Sequence, residues 1–135
     1  MPADPTSDAR PRRRPATGAL AWGSGLAIFL FVPFFAPTIA LTAIGLLMAA
    51  VGRRQRDKNE VAAENGRNAA NWGLTLVVVS LGLVAMSYGG GLFPLGLILS
   101  LLGGVAVAHI VVCVMGVLRA GDRRAFRPPA IPFYN

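Results

Sequence analysis

Cysteine and histidine are almost absent from this sequence, which contains one of each, Cys113 and His109. A lone cysteine cannot form a disulfide within the chain. A metal site needs three or four suitable ligands, so two neighbouring ones do not complete it. The sole histidine lies in an apolar run away from every carboxylate, which excludes a Ser–His–acid arrangement, and no Gly-rich phosphate loop follows a strand. We therefore expect no catalytic, metal or cofactor-binding residue, and no enzyme.

Charged residues are also scarce, at 14% of the 135 residues, whereas 54% are hydrophobic. Soluble domains contain roughly 25% charged residues, so a mean hydropathy of +0.57 indicates a chain solvated by lipid. All 13 basic and six acidic residues lie before the first apolar run, between the two apolar runs, or after the second. Membrane topology accounts for these basic clusters, and we therefore expect no nucleic-acid partner.

The first apolar run, residues 19–51, contains no charge over 33 positions. A straight helix of that length would measure about 50 Å, whereas the hydrocarbon core is roughly 30 Å thick. Pro33 and Pro37 bracket a segment at which a helix would break, because proline lacks an N–H donor and disfavours helix in the residue before it. The run therefore predicts two short spans, at about residues 17–32 and 37–52.

The second apolar run, residues 72–118, is broken in the same way. Gly89, Gly90 and Gly91 are unfavourable in a helix, and Pro94 suits the first turn of a new one. This predicts spans at about residues 72–88 and 94–118.

The distribution of basic residues predicts the topology. Neither predicted hairpin turn is charged, whereas the three flanking zones are basic, and short basic segments stay in the cytoplasm. The sequence therefore predicts an all-α integral membrane protein of the bacterial plasma membrane, with four transmembrane helices arranged as two hairpins and both termini cytoplasmic. In this scheme residues 17–134 form the membrane domain, preceded by a disordered basic tail (1–16). A cytoplasmic loop (53–71) joins the hairpins, and an interfacial tail (119–135) follows them.

The basic residues beside the predicted spans are candidates for contact with anionic lipid headgroups. They are Arg12, Arg13, Arg14, Arg53, Arg54, Arg123 and Arg124. Glu60 and Glu64 share a possible helical face in the central loop, but ordinary surface pairing with nearby Arg and Lys explains them better than acid–base chemistry.

Small residues recur every four positions in the fourth predicted span. They are Gly96, Ser100, Gly104 and Ala108. This spacing places them on one stripe of a helix, which another helix can approach closely. Packing inside the bundle is the favoured interpretation, and homodimerisation is the alternative.

His109 lies midway along the same span, and an ionisable residue at that depth is a candidate functional group. We favour a neutral imidazole that is hydrogen-bonded to a hydroxyl or a backbone carbonyl. Asn71 and Trp72 stand where the third span is predicted to enter the membrane. They suit an interfacial anchor, because Asn satisfies exposed amides and Trp prefers the headgroup layer.

Two short patterns resemble those of a family of small bacterial four-span membrane proteins of unknown function. The first is a small residue, an Asn and an aromatic before the third span, at Ala70, Asn71 and Trp72. The second follows the last span, at Gly116, Ala120, Phe126 and Pro129. That family is distantly similar to the small four-helix subunit of the chloroplast inner-envelope protein-import translocon. The resemblance implies a four-helix membrane domain and a role in translocation or in assembly of membrane complexes.

These observations favour a non-catalytic accessory or scaffold protein that packs against other membrane proteins or against itself. The alternative is a small oligomeric channel or transporter for a small solute. Ion coupling is not expected, because coupled transporters usually place ionisable groups at the midplane and this chain offers only His109 there.

Overall fold

Helices make up most of the described part of the chain. The computed structural model describes residues 15–28, 37–88 and 94–134, and all regular structure in these ranges is helical, which confirms the predicted all-α fold. A short helix α1 (Ala19–Gly23) continues into a 3₁₀ turn (Ser24–Ala27). Three longer helices follow: α2 (Pro37–Arg53), α3 (Glu60–Tyr88) and α4 (Leu95–Gly121). The predicted hairpin turns and residues 1–14 of the predicted tail lie outside the described residues.

Helices α2 and α3 form a close antiparallel pair built on glycine. A Cβ added to Gly45 would overlap the carbonyl oxygen of Gly73, and one added to Gly73 would overlap the carbonyl of Gly45. Gly52 and Gly66 meet in the same way about two helical turns further along the pair. Glycine at these positions lets the two backbones touch, which maximises dispersion contacts.

Helix α4 packs on the rest of the fold through one side. Gly116 lies directly under the indole ring of Trp22, which is fully buried. Ile98, Leu102 and Cys113 share that buried side. On the outer side the large apolar residues are exposed, among them Leu99, Val107 and Leu118. An apolar helix with an apolar outer face is the arrangement expected for a lipid-facing helix.

Two helices, α3 and α4, are long and apolar enough to cross a membrane. The most apolar windows of α3 and α4 have mean hydropathies of 1.8 and 2.6, and only 33% and 22% of their residues are buried. That low burial sets them apart from the core helices of a soluble domain. Helix α2 is apolar but shorter, with 17 residues. The first predicted span falls partly on residues 29–36, outside the described ranges.

Helix α3 begins at Glu60 and not near residue 72, so much of the segment predicted as a loop is helical. Asn59 starts it: its side-chain Oδ1 accepts a hydrogen bond from the amide of Ala62 at 3.0 Å, as an N-cap residue does. The segment is rich in alanine, the strongest helix former. The polarity of this segment indicates that it lies outside the apolar runs, but polarity does not indicate whether it is a loop or a helix.

The end of α4 turns the chain back towards α3. Arg123 has a positive φ of 58°, and its amide donates to the carbonyl of Ala120 at 3.0 Å. The amide of Arg124 donates to the carbonyl of Arg119 at 2.9 Å. These two bonds form a Schellman motif, which closes the helix and reverses the chain direction. The C-terminal tail, residues 122–134, therefore lies along α3.

Candidate functional site

The polar first half of α3 carries a row of side chains that holds the C-terminal tail. Asn65, Asn68, Asn71 and Thr75 follow one another at intervals of three or four residues, which places them on one face of the helix. Each of them hydrogen-bonds to the backbone of the tail. We refer to these four residues as the asparagine row. It converts a proline-rich tail without regular structure into an ordered part of the fold.

Asn65, the first residue of the asparagine row, is fully buried and makes the most hydrogen bonds of the four. Its Oδ1 accepts hydrogen bonds from the indole Nε1 of Trp22 at 3.3 Å and from the amide of Phe126 at 3.0 Å. Its Nδ2 donates to the carbonyls of Thr17 at 3.0 Å and Arg124 at 3.1 Å. One amide side chain thus joins the N-terminal segment, α3 and the tail, with both of its donors and both acceptor positions used.

The remaining members of the row bind further along the tail. Asn68 donates to the carbonyl of Phe126 at 3.0 Å. Asn71 makes a two-point contact with Tyr134, donating to its carbonyl at 3.1 Å and accepting from its amide at 2.8 Å. The Thr75 hydroxyl accepts from the amide of Ile131 at 2.9 Å. Asn71 therefore lies within α3 and binds the tail, whereas we expected it to cap a helix start.

His109 is fully buried at the junction of three segments. The indole Nε1 of Trp72 donates to its Nδ1 at 3.2 Å, and its Nε2 lies 2.9 Å from the carbonyl oxygen of Gly25. Because Nδ1 accepts a hydrogen bond, it carries no proton. Nε2 therefore carries the ring proton and donates a hydrogen bond to the carbonyl of Gly25, which defines a neutral imidazole. Cys113 packs against the same ring, with Sγ 3.6 Å from Nδ1. This geometry gives His109 and Trp72 a structural role that links α3 to α4.

The small-residue stripe lies on the outer side of α4. Gly96, Ser100, Gly104 and Ala108 are all exposed, and no described atom lies within 4 Å of a Cβ built on Gly96 or Gly104. The described helices pack on the opposite side, through residues such as Leu102 and His109. Within the described ranges no helix packs on the stripe, so packing inside the bundle, the interpretation favoured from the sequence, stays a prediction.

Several charged side chains meet where α2 ends and α3 begins. Glu64 accepts hydrogen bonds from both Nε and Nη2 of Arg127 on the tail, and this is the ion pair found within the described ranges. The guanidinium carbon of Arg53 lies 5.7 Å from the ring centroid of Tyr134. Among the predicted lipid-facing residues, Arg53, Arg54, Arg123 and Arg124 are exposed, and Arg12, Arg13 and Arg14 lie outside the described residues.

Every buried side-chain nitrogen and oxygen in the described parts of the chain has a hydrogen-bond partner. In the same residues no three His, Cys, Asp or Glu side chains lie together in a way that could hold a metal. The buried polar side chains of the described residues are therefore engaged in hydrogen bonds that hold segments together.

The attachment of the tail was not anticipated from the sequence. The one available signal was the spacing of three asparagines at intervals of three in a helix-compatible, alanine-rich segment. That spacing indicates a shared polar face but does not identify its partner, which lies about 60 residues further along the chain.

A comparison with protein families identifies the family of this chain. Residues 14–134 match the MamF/MmsF family, described as the magnetosome magnetite crystal formation protein family. No curated protein and no solved structure matches the chain. The match confirms the predicted membership of a small bacterial membrane-protein family, but it does not support the similarity to the translocon subunit. The match covers nearly the whole sequence, and the chain therefore belongs to the MamF/MmsF family of magnetosome membrane proteins.

Proposed function

We propose that this protein is a non-catalytic accessory subunit of the magnetosome membrane, which serves magnetite crystal formation by packing against other membrane proteins. Membership of the magnetite crystal formation family is the observation that carries the proposal. The satisfied hydrogen bonds of His109, Asn65 and Asn71 support a structural use of the buried polar groups. The translocation role implied by the resemblance to the translocon stays a prediction.

The outer side of α4 supports an interaction role. Its small-residue stripe lies among exposed large apolar residues such as Leu97, Leu101 and Val111. Small side chains allow the backbone of a second transmembrane helix to approach this face closely and gain dispersion contacts. The proposal assigns this face to a partner subunit.

The proposal includes a topology of four spans with both termini on the cytoplasmic side. The two long apolar helices support two of these spans, and the apolar helix α2 supports a third. In this arrangement the exposed arginines Arg53, Arg54, Arg123 and Arg124 face the headgroup layer and attract anionic lipid.

The native size of the protein in a mild-detergent extract of its own membrane tests the proposal, with mass spectrometry of the proteins that migrate beside it. A large assembly with reproducible neighbours is the expected result. Isolated 14.1 kDa monomers without co-migrating proteins would contradict it. A species of a few identical copies would favour the alternative, a small oligomeric channel. Measurements of solute flux through liposomes that contain the protein would then test that alternative.

A matched pair of variants locates the contact. Gly104→Leu places a large side chain on the stripe, and the assembly should dissociate or shrink. Gly82→Leu is the control, because Gly82 is also an exposed helical glycine with no described atom near its Cβ position, but it lies on α3. Equal assembly sizes for the two variants would remove the stripe from the proposal.

A further inference from the structure

A polar cavity of about 430 Å³ opens where α2, α3 and the tail meet. Its wall contains the last turn of α2, the turn that follows it, the first turns of α3 and two residues of the tail. The charged and aromatic side chains in this wall are Arg53, Arg56, Arg67, Arg127, Glu60, Glu64 and Tyr134. The cavity lies at the polar end of both helices, beside the apolar part of α3 that begins near Trp72.

The charges in the wall do not balance. Four guanidinium groups stand against two carboxylates, which leaves an excess of two positive charges. Glu64 is paired with Arg127. Within the described residues, no carboxylate lies within ion-pair distance of Arg53, Arg56 or Arg67. Guanidinium groups concentrated around one space raise the local positive potential, which attracts an anion.

Tyr134 positions Arg53 in the wall of the cavity. The guanidinium of Arg53 lies against its ring, and Asn71 holds the tyrosine backbone through two hydrogen bonds. A guanidinium that rests on an aromatic face keeps its in-plane N–H groups free, and these form paired hydrogen bonds with the oxygens of phosphate. The wall is therefore partly ordered before a ligand arrives.

We propose that this cavity binds a phosphate monoester, carried either by a lipid headgroup or by a small soluble molecule. A monoester near neutral pH has close to two negative charges on three acceptor oxygens, which match the charge excess and the several donors of the wall. A phosphodiester carries one charge, and a carboxylate has one charge and two oxygens. Arg53, Arg56 and Arg67 carry most of the interaction, because none of them has a carboxylate partner among the described residues.

Direct titration of the purified full-length protein in a non-ionic detergent tests the site. The probes are phosphatidic acid in mixed micelles, phosphatidylglycerol at the same mole fraction, and glycerol 3-phosphate without lipid. Phosphatidic acid should bind about tenfold more tightly than phosphatidylglycerol, which corresponds to one additional charge-assisted hydrogen bond. Binding of phosphatidic acid alone identifies a lipid headgroup as the source, and binding of glycerol 3-phosphate as well identifies a soluble phosphate ester.

Two double variants with the same loss of charge separate a built site from general attraction. R53Q/R67Q removes two cavity arginines and should weaken binding of phosphatidic acid about a hundredfold. R54Q/R119Q removes two exposed arginines that do not line the cavity, and screening limits the effect to about threefold.

Glu60→Gln should change the affinity for phosphatidic acid in the opposite direction. It removes the cavity carboxylate that has no ion-pair partner in the described residues, and it should tighten binding severalfold, whereas Asp57→Asn outside the cavity should not. Equal weakening by the two double variants, equal affinity for the two lipids, or no binding of any probe would each overturn the proposal. These measurements use the isolated protein, so their failure would leave the accessory role untouched.

Discussion

Replacement of Asn65 by alanine should be the most damaging single change in the polar half of the protein. It removes four hydrogen bonds at once, which join the N-terminal segment, α3 and the tail. The indole N–H of Trp22 belongs to a fully buried side chain and would be left unsatisfied, at a cost of about 1–3 kcal/mol. The backbone partners at Thr17, Arg124 and Phe126 are partly accessible to water, so each adds about 0.5–1 kcal/mol.

The expected loss of unfolding free energy for Asn65→Ala is therefore about 3–5 kcal/mol. Asn68→Ala is the matched control, because it removes one hydrogen bond from the same helix to the same tail and should cost about 1 kcal/mol. Asn65→Asp keeps the side-chain volume and both acceptor positions, but sets a charged oxygen against the carbonyls of Thr17 and Arg124. It should be at least as destabilising as Asn65→Ala.

Equilibrium unfolding in mixed detergent micelles, followed by far-ultraviolet circular dichroism, gives the free energies. Hydrogen exchange of residues 122–134 gives a local measure, since the amide of Phe126 loses its acceptor in Asn65→Ala and keeps it in Asn68→Ala. Equal destabilisation by the two alanine variants, or unchanged exchange in the tail, would refute the central role of Asn65. A well-tolerated aspartate would show that the two donated hydrogen bonds contribute little.

Two further predictions concern the apolar half. Gly73→Ala should destabilise the protein by about 1–3 kcal/mol in the same unfolding assay, because the added methyl group meets a facing carbonyl of α2. Gly82→Ala is the control: its methyl group would face open space, so it should be neutral or stabilising by up to about 1 kcal/mol. His109→Ala should cost about 2–4 kcal/mol and shift the indole N–H resonance of Trp72 but not that of Trp22; equal shifts of both resonances would contradict the local hydrogen bond.

The bounds of the apolar helices could be predicted from the sequence because two physical signals coincide in the apolar runs. Long stretches without charge set the limits, and proline or glycine clusters divide them. The prediction of 94–118 for the last span lies close to the observed Leu95–Gly121, and 37–52 lies close to Pro37–Arg53. Both signals depend only on residues that are close together in the chain, so one sequence is enough to find them.

The asparagine row and the arginine cavity depend on contacts that are distant in sequence. Asn71 and Trp72 were identified as notable residues, but their partners Tyr134 and His109 are 63 and 37 positions away. A side-chain amide offers two donors and an acceptor to any partner, so its type does not indicate which backbone segment it will bind. The polarity of residues 60–71 likewise suits a solvated loop and a helix equally well.

The tail links the two polar features of this protein. Arg127 and Tyr134 belong to the tail and line the cavity, while the asparagine row fixes the backbone that carries them. The row therefore positions Arg127, and the Tyr134 ring that contacts Arg53, although none of its members lines the cavity. Neutral side chains suit this task, because three amides and a hydroxyl hold a backbone without adding charge beside the four guanidinium groups. Carboxylates in the same positions would accept only half of these hydrogen bonds and would neutralise the positive excess that an anion requires.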